Sequence, residues 1–405
     1  MRICNVIQRY PPAVGGSETW CQEVCRYVAK QGSDVSVLTL DVYDEAEFWR
    51  DPSPDKCTVR FGPCNFDGNI KVRRYRRDIP NYYIYHSVYK FLDRGLGLYF
   101  YGPHSSEMYR EMYREIKGSD ILHTHTLPYP HNFFSLLNGK LADKKIVITP
   151  HFHPNHPHYE RKILYWLLNR CDSVITVSDY EKDYLMGAGV DPEKISVTGN
   201  GVNPDLYVLS DEEQYHDCLK MHDIDDNTKV VTFIGRKADY KGVDTLIAAA
   251  KKILPVRKDT KFLLVGPRLP WFEQLYSGLS PEERQYIIDI GYISQQEKVY
   301  LLHRSDILCL PSKFEAFGIV FLEAWICNTP VIGSDQGAQP SVIGEDGVTF
   351  HYGDANDLAE KILYLLDDEK ASRRMAESGK NKVLERYTWD KIGEKVLQVY
   401  NSLVE

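Results

Sequence analysis

The amino-acid sequence predicts an α/β protein made of two doubly wound parallel-sheet domains in series. Its 405 residues exceed the length of one ordinary domain, and a hydrophobic content of 43% is enough for two cores. Apolar strand-like runs alternate with helical patterns, and this alternation restarts after a turn-rich passage at residues 198–205. Open α/β sheets bind ligands beyond the carboxyl ends of their strands, so we expect the two domains to face each other across a cleft that holds the site.

The first domain is predicted at residues 1–202. Its strands are short apolar runs, predicted at residues 3–7, 34–40, 70–75, 120–125, 145–150, 173–177 and 194–198. Helical periodicity separates several of these strands, at residues 18–31, 104–117, 161–170 and 180–187. A helix between successive strands is typical of a parallel sheet covered on both faces.

The second domain is predicted at residues 203–386 and repeats this pattern. Its predicted strands are residues 230–235, 262–266, 290–293, 306–310 and 330–333. Its predicted helices are residues 243–254, 281–288, 295–304, 319–327, 355–367 and 370–386. A last helix at 389–403 lies within the C-terminal segment 387–405 and closes the chain.

Composition excludes several classes of protein. Lys and Arg number 25 against 24 Asp and Glu in residues 1–200, and 24 against 33 in residues 201–405, so the basic excess of a nucleic-acid-binding protein is missing. No run of 18 apolar residues is present to span a bilayer. The nine cysteines are odd in number, and several lie within apolar strand or helix patterns, which favours reduced, buried thiols in a cytoplasmic protein.

The most informative segment is residues 311–324, which follows a short buried strand and runs into an apolar helix. It places Glu315 and Glu323 eight residues apart, with Gly318 between them. A strand, a glycine-containing loop and a helix start together offer backbone N–H groups to an anion. One carboxylate then lies near the anion, and the other can reach a more distant part of the same ligand. The segment therefore suggests a nucleotide-sugar site.

A second loop follows the first strand of the second domain and carries Arg236 and Lys241, five residues apart and flanked by Gly235 and Gly242. Arginine offers a planar fork of donors and lysine a point charge, a pairing suited to a diphosphate. Solvated surface charges are the alternative interpretation for such a pair taken alone.

The first domain contributes two further candidates. Gly15 and Gly16 follow the first strand and open the first helix, where a ligand could approach the backbone and Ser17 could cap the helix. A tight turn without a ligand is the alternative, since the dinucleotide fingerprint is absent. His151 comes just after the predicted strand at 145–150 and is the first of four histidines in eight residues. Three prolines keep that segment extended, so we expect a hydroxyl-binding role rather than a metal site. His123 and His125 end another strand, and each could instead be an ordinary, fully hydrogen-bonded histidine.

In these combined features the chain resembles the retaining GT-B glycosyltransferases of glycosyltransferase family 4. The resemblance covers nearly the whole chain and rests on the two glycine-containing loops, the Glu315–Glu323 spacing and the turn at 200–203. It implies a GT-B fold, in which two Rossmann-like domains face each other across a cleft and the C-terminal helix packs back on the N-terminal, acceptor-binding domain. Asn203 stands where many members of the family carry Asp, and we expect little consequence.

The resemblance also implies a role for each matching residue. Arg236 and Lys241 would hold the donor diphosphate, Glu323 the ribose, Glu315 the transferred sugar, and His151 the sugar from the opposite wall. Further donor-binding positions would be the phosphate-contacting backbone of Gly16, Gly318, Ile319 and Val320, with Phe317 beside it, and Gly266 and Ile293 near the base.

The implied reaction is transfer of a hexose from a UDP- or GDP-linked sugar to a hydroxyl acceptor, in cell-envelope, lipid-linked glycan or glycolipid synthesis. Attack on the same face as the leaving phosphate would retain the anomeric configuration, and no metal or cofactor would be required because fixed cations and a helix start offset the phosphate charge.

Three alternatives and one additional surface remain at this point. An oxidoreductase is disfavoured by the missing dinucleotide fingerprint, whereas a nucleotide-sugar epimerase shares the two-domain architecture. A non-catalytic sugar-binding protein is disfavoured because both glutamates and both cations are present. Basic residues followed by aromatic ones in segment 71–101 are consistent with a peripheral contact at the inner face of the cell membrane. A partly buried helix with a charged loop is the alternative for that segment.

Overall fold

The computed structural model describes residues 1–43, 45–48, 64–78, 102–154 and 158–405. These residues form two compact units, of which the first comprises Met1–Asn200 with Trp389–Glu405 and the second Gly201–Thr388. The predicted domain limits, at 202 and 387, lie two residues away from these limits. Each unit contains its own sheet.

The first unit is built on an eight-stranded sheet in the order β3-β4-β2-β1-β5-β6-β7-β8. All neighbouring strands are parallel except β3, which pairs antiparallel with β4 at one edge. The strands are β1 (Arg2–Val6), β2 (Asp34–Leu40), β3 (Cys64–Asp67), β4 (Ile70–Tyr75), β5 (Ile121–His125), β6 (Lys145–Thr149), β7 (Ser173–Thr176) and β8 (Ile195–Val197).

Helices cover this sheet, as expected for parallel strands joined by crossovers. They are α1 (Gly16–Lys30), α2 (Ser106–Lys117), α3 (His131–Leu141), α4 (Lys162–Arg170), α5 (Asp179–Gly187) and, from the end of the chain, α14 (Trp389–Val404). The C-terminal helix α14 packs on α1 so closely that a Cβ at Gly393 would lie 2.3 Å from the ring of Tyr27. The C-terminal helix therefore belongs to the first unit, as the resemblance implied.

The second unit is built on a six-stranded sheet in the order β11-β10-β9-β12-β13-β14, in which every pair is parallel. Its strands are β9 (Lys229–Ile234), β10 (Thr260–Val265), β11 (Ile287–Ile290), β12 (Ile307–Leu310), β13 (Val331–Ser334) and β14 (Val348–Phe350). Its helices are α6 (Glu212–Met221), α7 (Val243–Ile253), α8 (Pro270–Ser277), α9 (Gln295–Arg304), α10 (Ile319–Ile326), α11 (Gln339–Ile343), α12 (Ala355–Asp367) and α13 (Glu369–Arg386). The strand order reverses between β9 and β12, and ligands of doubly wound sheets bind at such a switch point.

One predicted helix of the second domain is wrong. Residues 281–288, predicted helical, contain only a short 3₁₀ turn at Glu283–Gln285 followed by the first residues of β11. Ile287 and Ile288 instead pair with Phe262 and Leu263 of β10, because β-branched side chains suit a half-buried strand. The strand predicted at 290–293 therefore lies three residues earlier in the chain, at Ile287–Ile290.

Three further sequence expectations concern membrane contact and the cysteines. Among the described residues, no helix is long and apolar enough to cross a membrane. Seven of the eight described cysteines are buried and Cys64 is exposed, and all eight are free thiols. The predicted membrane-contacting segment 71–101 lies mostly outside the described residues, which include only 71–78 from it.

Candidate active site

The loops that follow β9 and β12 approach each other at the switch point of the second sheet. Gly242 has a left-handed φ of 67°, and a Cβ there would lie 2.0 Å from the carbonyl oxygen of Pro311. The Lys313 N–H also donates to the Tyr240 carbonyl at 2.7 Å. Only glycine permits so close an approach of the two backbones. The two loops that the sequence singled out separately therefore form one site.

Lys241 and Glu315 join these loops through an ion pair. Lys241 Nζ lies 2.6 Å from Glu315 Oε2, and the two side chains are 16% and 18% exposed. A hydrogen bond of 2.9 Å from the Ala338 N–H to the Glu315 carbonyl fixes the loop from the other side. Arg236, in contrast, is exposed, and its guanidinium makes no ion pair with any described residue. Its charge is available to a ligand.

The helix α10 begins at the same edge of the sheet. Gly318 is its N-cap with φ 88°, and a Cβ there would lie 2.7 Å from the ring of Phe321. The first N–H groups of a helix lack intrahelical acceptors, so the backbone of Ile319 and Val320 presents donors to an anion. Phe317 is buried and packs edge-on against Tyr387 at 5.5 Å, which holds the loop in place.

Glu323 lies further along α10 and already has two partners. Its Oε1 accepts hydrogen bonds from the Tyr207 hydroxyl at 2.6 Å and from Lys298 Nζ at 2.7 Å. The Lys298 ammonium also lies 5.5 Å from the centre of the Tyr207 ring. Sequence reasoning missed both partners, which come from segments 116 and 25 residues away.

Gly266 and Ile293 follow β10 and β11 at the same edge. Gly266 has φ 127°, and a Cβ there would lie 2.1 Å from the Gly235 carbonyl oxygen. Its N–H donates to the carbonyls of Ile290 and Gly291. Ile293 is half-buried against the core of the second unit. The ends of β9, β10 and β11 are thereby tied closely together.

A buried charge pair that the sequence did not reveal lies under this edge. Lys237, next to Arg236, is fully buried and pairs with Asp289 of β11, and its Nζ donates to the Ile290 carbonyl at 2.7 Å. Burial lowers the pKa of Lys237, and the Asp289 carboxylate partly offsets that effect. A lysine inside an otherwise polar loop carries no sequence signal that it is buried.

In the first unit, the loop between β1 and α1 is organised around Glu18. This residue is 1% exposed, pairs with Arg9 at 2.8 Å and accepts a hydrogen bond from the Ser17 hydroxyl at 2.8 Å. The expectation that Ser17 caps the helix is wrong, because its hydroxyl binds Glu18 and α1 begins at Gly16 without a side-chain cap. The backbone of Gly16 forms the start of α1, where an anion is favoured.

His151 has the properties of a ligand-binding group. Its φ of 45° is unusual for a residue with a side chain, and strained backbone of this kind clusters at functional sites. The side chain is buried, yet its Nε2 has no hydrogen-bond partner among the described residues. Burial lowers the pKa of His151 to about 3, so the imidazole is neutral and can donate to or accept from a hydroxyl.

His123 is an ordinary hydrogen-bonded histidine, in contrast. Its Nδ1 lies 2.5 Å from the Tyr400 hydroxyl and its Nε2 lies 2.8 Å from Thr149 Oγ1. His125 lies beside it, with the two ring centres 4.0 Å apart and its Nε2 at 3.1 Å from Asn5 Oδ1. Both rings pack against Trp20, as His151 does. His123 therefore has a structural role.

The buried histidines of the first unit, which include His131 with its Nε2 2.8 Å from the His125 carbonyl oxygen, predict a loss of stability in acid. Burial lowers the pKa of His131 to about 4, and that of His123 to about 3, whereas a histidine in the unfolded chain titrates near 6.5. Below pH 6.5 these histidines are protonated in the unfolded state but stay neutral in the folded state. The free energy of unfolding therefore decreases as the pH falls. In His131→Gln, the decrease in unfolding free energy between pH 8 and pH 5 should be smaller than in the wild type by about 2 kcal/mol.

Urea unfolding at the two pH values measures this difference, and His216→Gln, at an exposed histidine, is the control. An unchanged pH dependence in His131→Gln would show that the pKa of this histidine is the same in the folded and the unfolded protein.

Among the described residues, no three His, Cys, Asp or Glu side chains converge as a metal site requires. Of the four histidines at 151–158, His156 lies outside the described residues.

Taken together, two doubly wound, largely parallel sheets, with cations and a helix start at the carboxyl ends of the strands in the second, are the architecture of a GT-B glycosyltransferase. The structure superposes on Anabaena HepE in complex with UDP and glucose with a TM-score of 0.71, at 17% identity over 99% of this chain and 100% of that one. The chain belongs to glycosyltransferase family 4, since the model of Glycosyltransferase Family 4 matches residues 14–206 and that of Glycosyl transferases group 1 matches residues 218–382.

Two curated relatives match over almost their whole length. An uncharacterised glycosyltransferase of Methanocaldococcus jannaschii is 24% identical, covering 100% of this chain and 99% of the relative. The N-acetyl-alpha-D-glucosaminyl L-malate synthase of Bacillus anthracis is 28% identical, covering 97% of this chain and 95% of the relative. The protein is therefore an enzyme of the glycosyltransferase class.

Proposed function

We propose that the protein transfers a hexose from a UDP- or GDP-linked sugar to a hydroxyl acceptor with retention of the anomeric configuration. The observation that carries this proposal is the close approach of the two loops at the switch point of the second sheet. There the exposed Arg236, the Lys241–Glu315 pair and the start of α10 lie on adjoining loops. Cations and free N–H groups on adjoining loops suit a diphosphate.

In this proposal the diphosphate is bound without a metal ion. Arg236 and Lys241 contribute two positive charges, and the N–H groups at Ile319 and Val320 contribute the positive end of the helix dipole. These groups would stabilise the charge that develops on the leaving nucleotide diphosphate, which is usually the largest contribution to catalysis of this kind. The donors are fixed beforehand by glycines at 242 and 318, so little reorganisation is needed.

The contacts of the two glutamates support attack from the face of the leaving group. A double-displacement enzyme needs a carboxylate free to attack the anomeric carbon. Glu315 is instead paired with Lys241, and Glu323 is held by Tyr207 and Lys298. We therefore assign Glu315 to sugar hydroxyls and Glu323 to the ribose. The proton of the acceptor hydroxyl would pass to an oxygen of the leaving phosphate.

In the first unit, the Nε2 of His151, which has no hydrogen-bond partner among the described residues, is proposed to bind a hydroxyl group of the transferred sugar. A neutral imidazole suits this role because it neither attracts nor repels the phosphates. The first unit as a whole is proposed to bind the acceptor.

The experiment is a panel of UDP-, GDP- and ADP-linked hexoses incubated with the protein and a chelator, with release of nucleotide diphosphate measured. We expect slow hydrolysis of a UDP- or GDP-linked sugar, accelerated by the correct acceptor. A free epimer of the donor would point instead to an epimerase, and tight binding without any product would point to a sugar-binding protein.

A further inference from the structure

The buried Lys237–Asp289 pair is not used by the reaction proposed above. The two side chains are 0% and 2% exposed, and the Lys237 ammonium lies 5.0 Å from the centre of the Phe272 ring. Removing both charges from water is costly, and well-packed apolar residues in place of a buried ion pair are often as stable or more so. Stability alone therefore does not account for the pair.

Asp289 also binds a third charged residue. Its Oδ2 contacts Nε of Arg268, whose side chain is 54% exposed. The backbones of Lys237 and Arg268 meet in a parallel bridge, and the Lys237 N–H donates to the Pro267 carbonyl at 3.2 Å. The Nη groups of Arg268 make no hydrogen bond or ion pair with any described residue. One buried carboxylate thus holds an arginine by Nε and leaves its outer donors available.

The position of Arg268 relates it to one end of the proposed donor. Arg268 follows β10, and the loops after β9 and β12 are assigned to the diphosphate. Glu315, assigned to the sugar, follows β12 on one side of the switch point, and β10 and β11 lie on the other side. An extended nucleotide sugar with its phosphates at the switch point would direct its nucleoside over the ends of β10 and β11. Gly266, at φ 127°, lets the backbone at Gly235 lie directly against the end of β10 there.

We propose that Arg268 is a specificity-determining residue that selects a keto nucleobase, and that the Lys237–Asp289 pair positions it. Arginine can only donate hydrogen bonds. Uracil offers a carbonyl oxygen, and guanine offers O6 beside N7, whereas adenine presents an amino donor where guanine has O6. A fixed arginine therefore favours uracil or guanine over adenine. This inference rests on the proposed function of the same site.

Calorimetric binding of UDP, GDP, ADP and inorganic pyrophosphate tests the inference. The wild-type protein should bind UDP or GDP at least roughly tenfold more tightly than ADP. Arg268→Ala should remove most of this preference and leave the affinities for ADP and pyrophosphate unchanged. Arg374→Ala, at an exposed arginine on α13, is the matched control and should keep the preference.

A double variant tests the positioning role without leaving a buried charge unpaired. Lys237→Met with Asp289→Leu should keep the thermal stability near that of the wild type, yet reduce the base preference although Arg268 is still present. An unchanged preference in this variant would overturn the positioning role.

Two other results would overturn the role of Arg268 itself. One is an equal loss of affinity for all four ligands in Arg268→Ala, which would make Arg268 a phosphate-binding residue. The other is a preference of the wild-type protein for ADP. A wild-type protein that binds pyrophosphate but no nucleotide would refute the proposed function as well, and is thereby distinguished from a failure of the inference alone.

Discussion

Replacing Arg236 by alanine should lower kcat/KM for sugar transfer by about 10²- to 10³-fold, as the loss of one preorganised donor to a developing charge does in other enzymes. The guanidinium is exposed at the carboxyl end of β9 and makes no ion pair within the described residues, so it has no structural partner to lose. The folded protein should therefore keep its thermal stability. Steady-state kinetics with a saturating acceptor measures the effect.

The control for this variant is Arg374→Ala, which removes an exposed arginine on α13, remote in sequence from the loops of the site. It should retain wild-type kinetics. Near-normal turnover in Arg236→Ala would mean that the departing diphosphate is stabilised elsewhere.

Replacing Lys241 by alanine should reduce kcat/KM by about 10³-fold or more. This change removes a cation and also leaves the Glu315 carboxylate, 2.6 Å from the missing ammonium, without its partner. An unpaired carboxylate beside the diphosphate repels it, so the loss should exceed that of a simple charge deletion. Lys258→Ala, at an exposed lysine of the same unit, provides the control.

A double-mutant cycle with Glu315→Gln tests whether the two residues act as a unit. Because they are in direct contact, their effects should not add, and the double variant should lose less activity than the product of the two single losses. Strictly additive effects would show that the ion pair is absent in the reacting complex.

The two glycine-containing loops that we propose to bind the diphosphate were predictable from the sequence because their signals are local. Gly242 and Gly318 occupy positions where φ is positive, and each stands directly between a strand and a helix, where short-range patterns are informative. The same holds for the position of His151 after β6. That its Nε2 has no hydrogen-bond partner within the described part of the chain was not predictable. That property depends on how the neighbouring elements pack around it.

The pairing of side chains was not predictable, because it depends on contacts between distant segments. Glu323 meets Tyr207 across 116 residues, and Lys237 meets Asp289 across 52. The contact between Lys237 and Asp289 was harder to predict because the sequence predicts a helix at 281–288, where β11 begins. From the sequence, a lysine in a polar loop is expected to be exposed to solvent. Only the strand order of the folded sheet places the Asp289 carboxylate beside Lys237.

We propose that the second unit binds a nucleotide sugar by fixed cations and a helix start, and that the protein transfers the sugar with retention. Proton NMR of the hydrolysis of an α-linked donor, recorded in the presence of a chelator, tests this most directly. The α-hexose should appear first, and the chelator should not change the rate at which it forms. A β-hexose as the first product, or complete loss of activity with the chelator, would contradict the proposal.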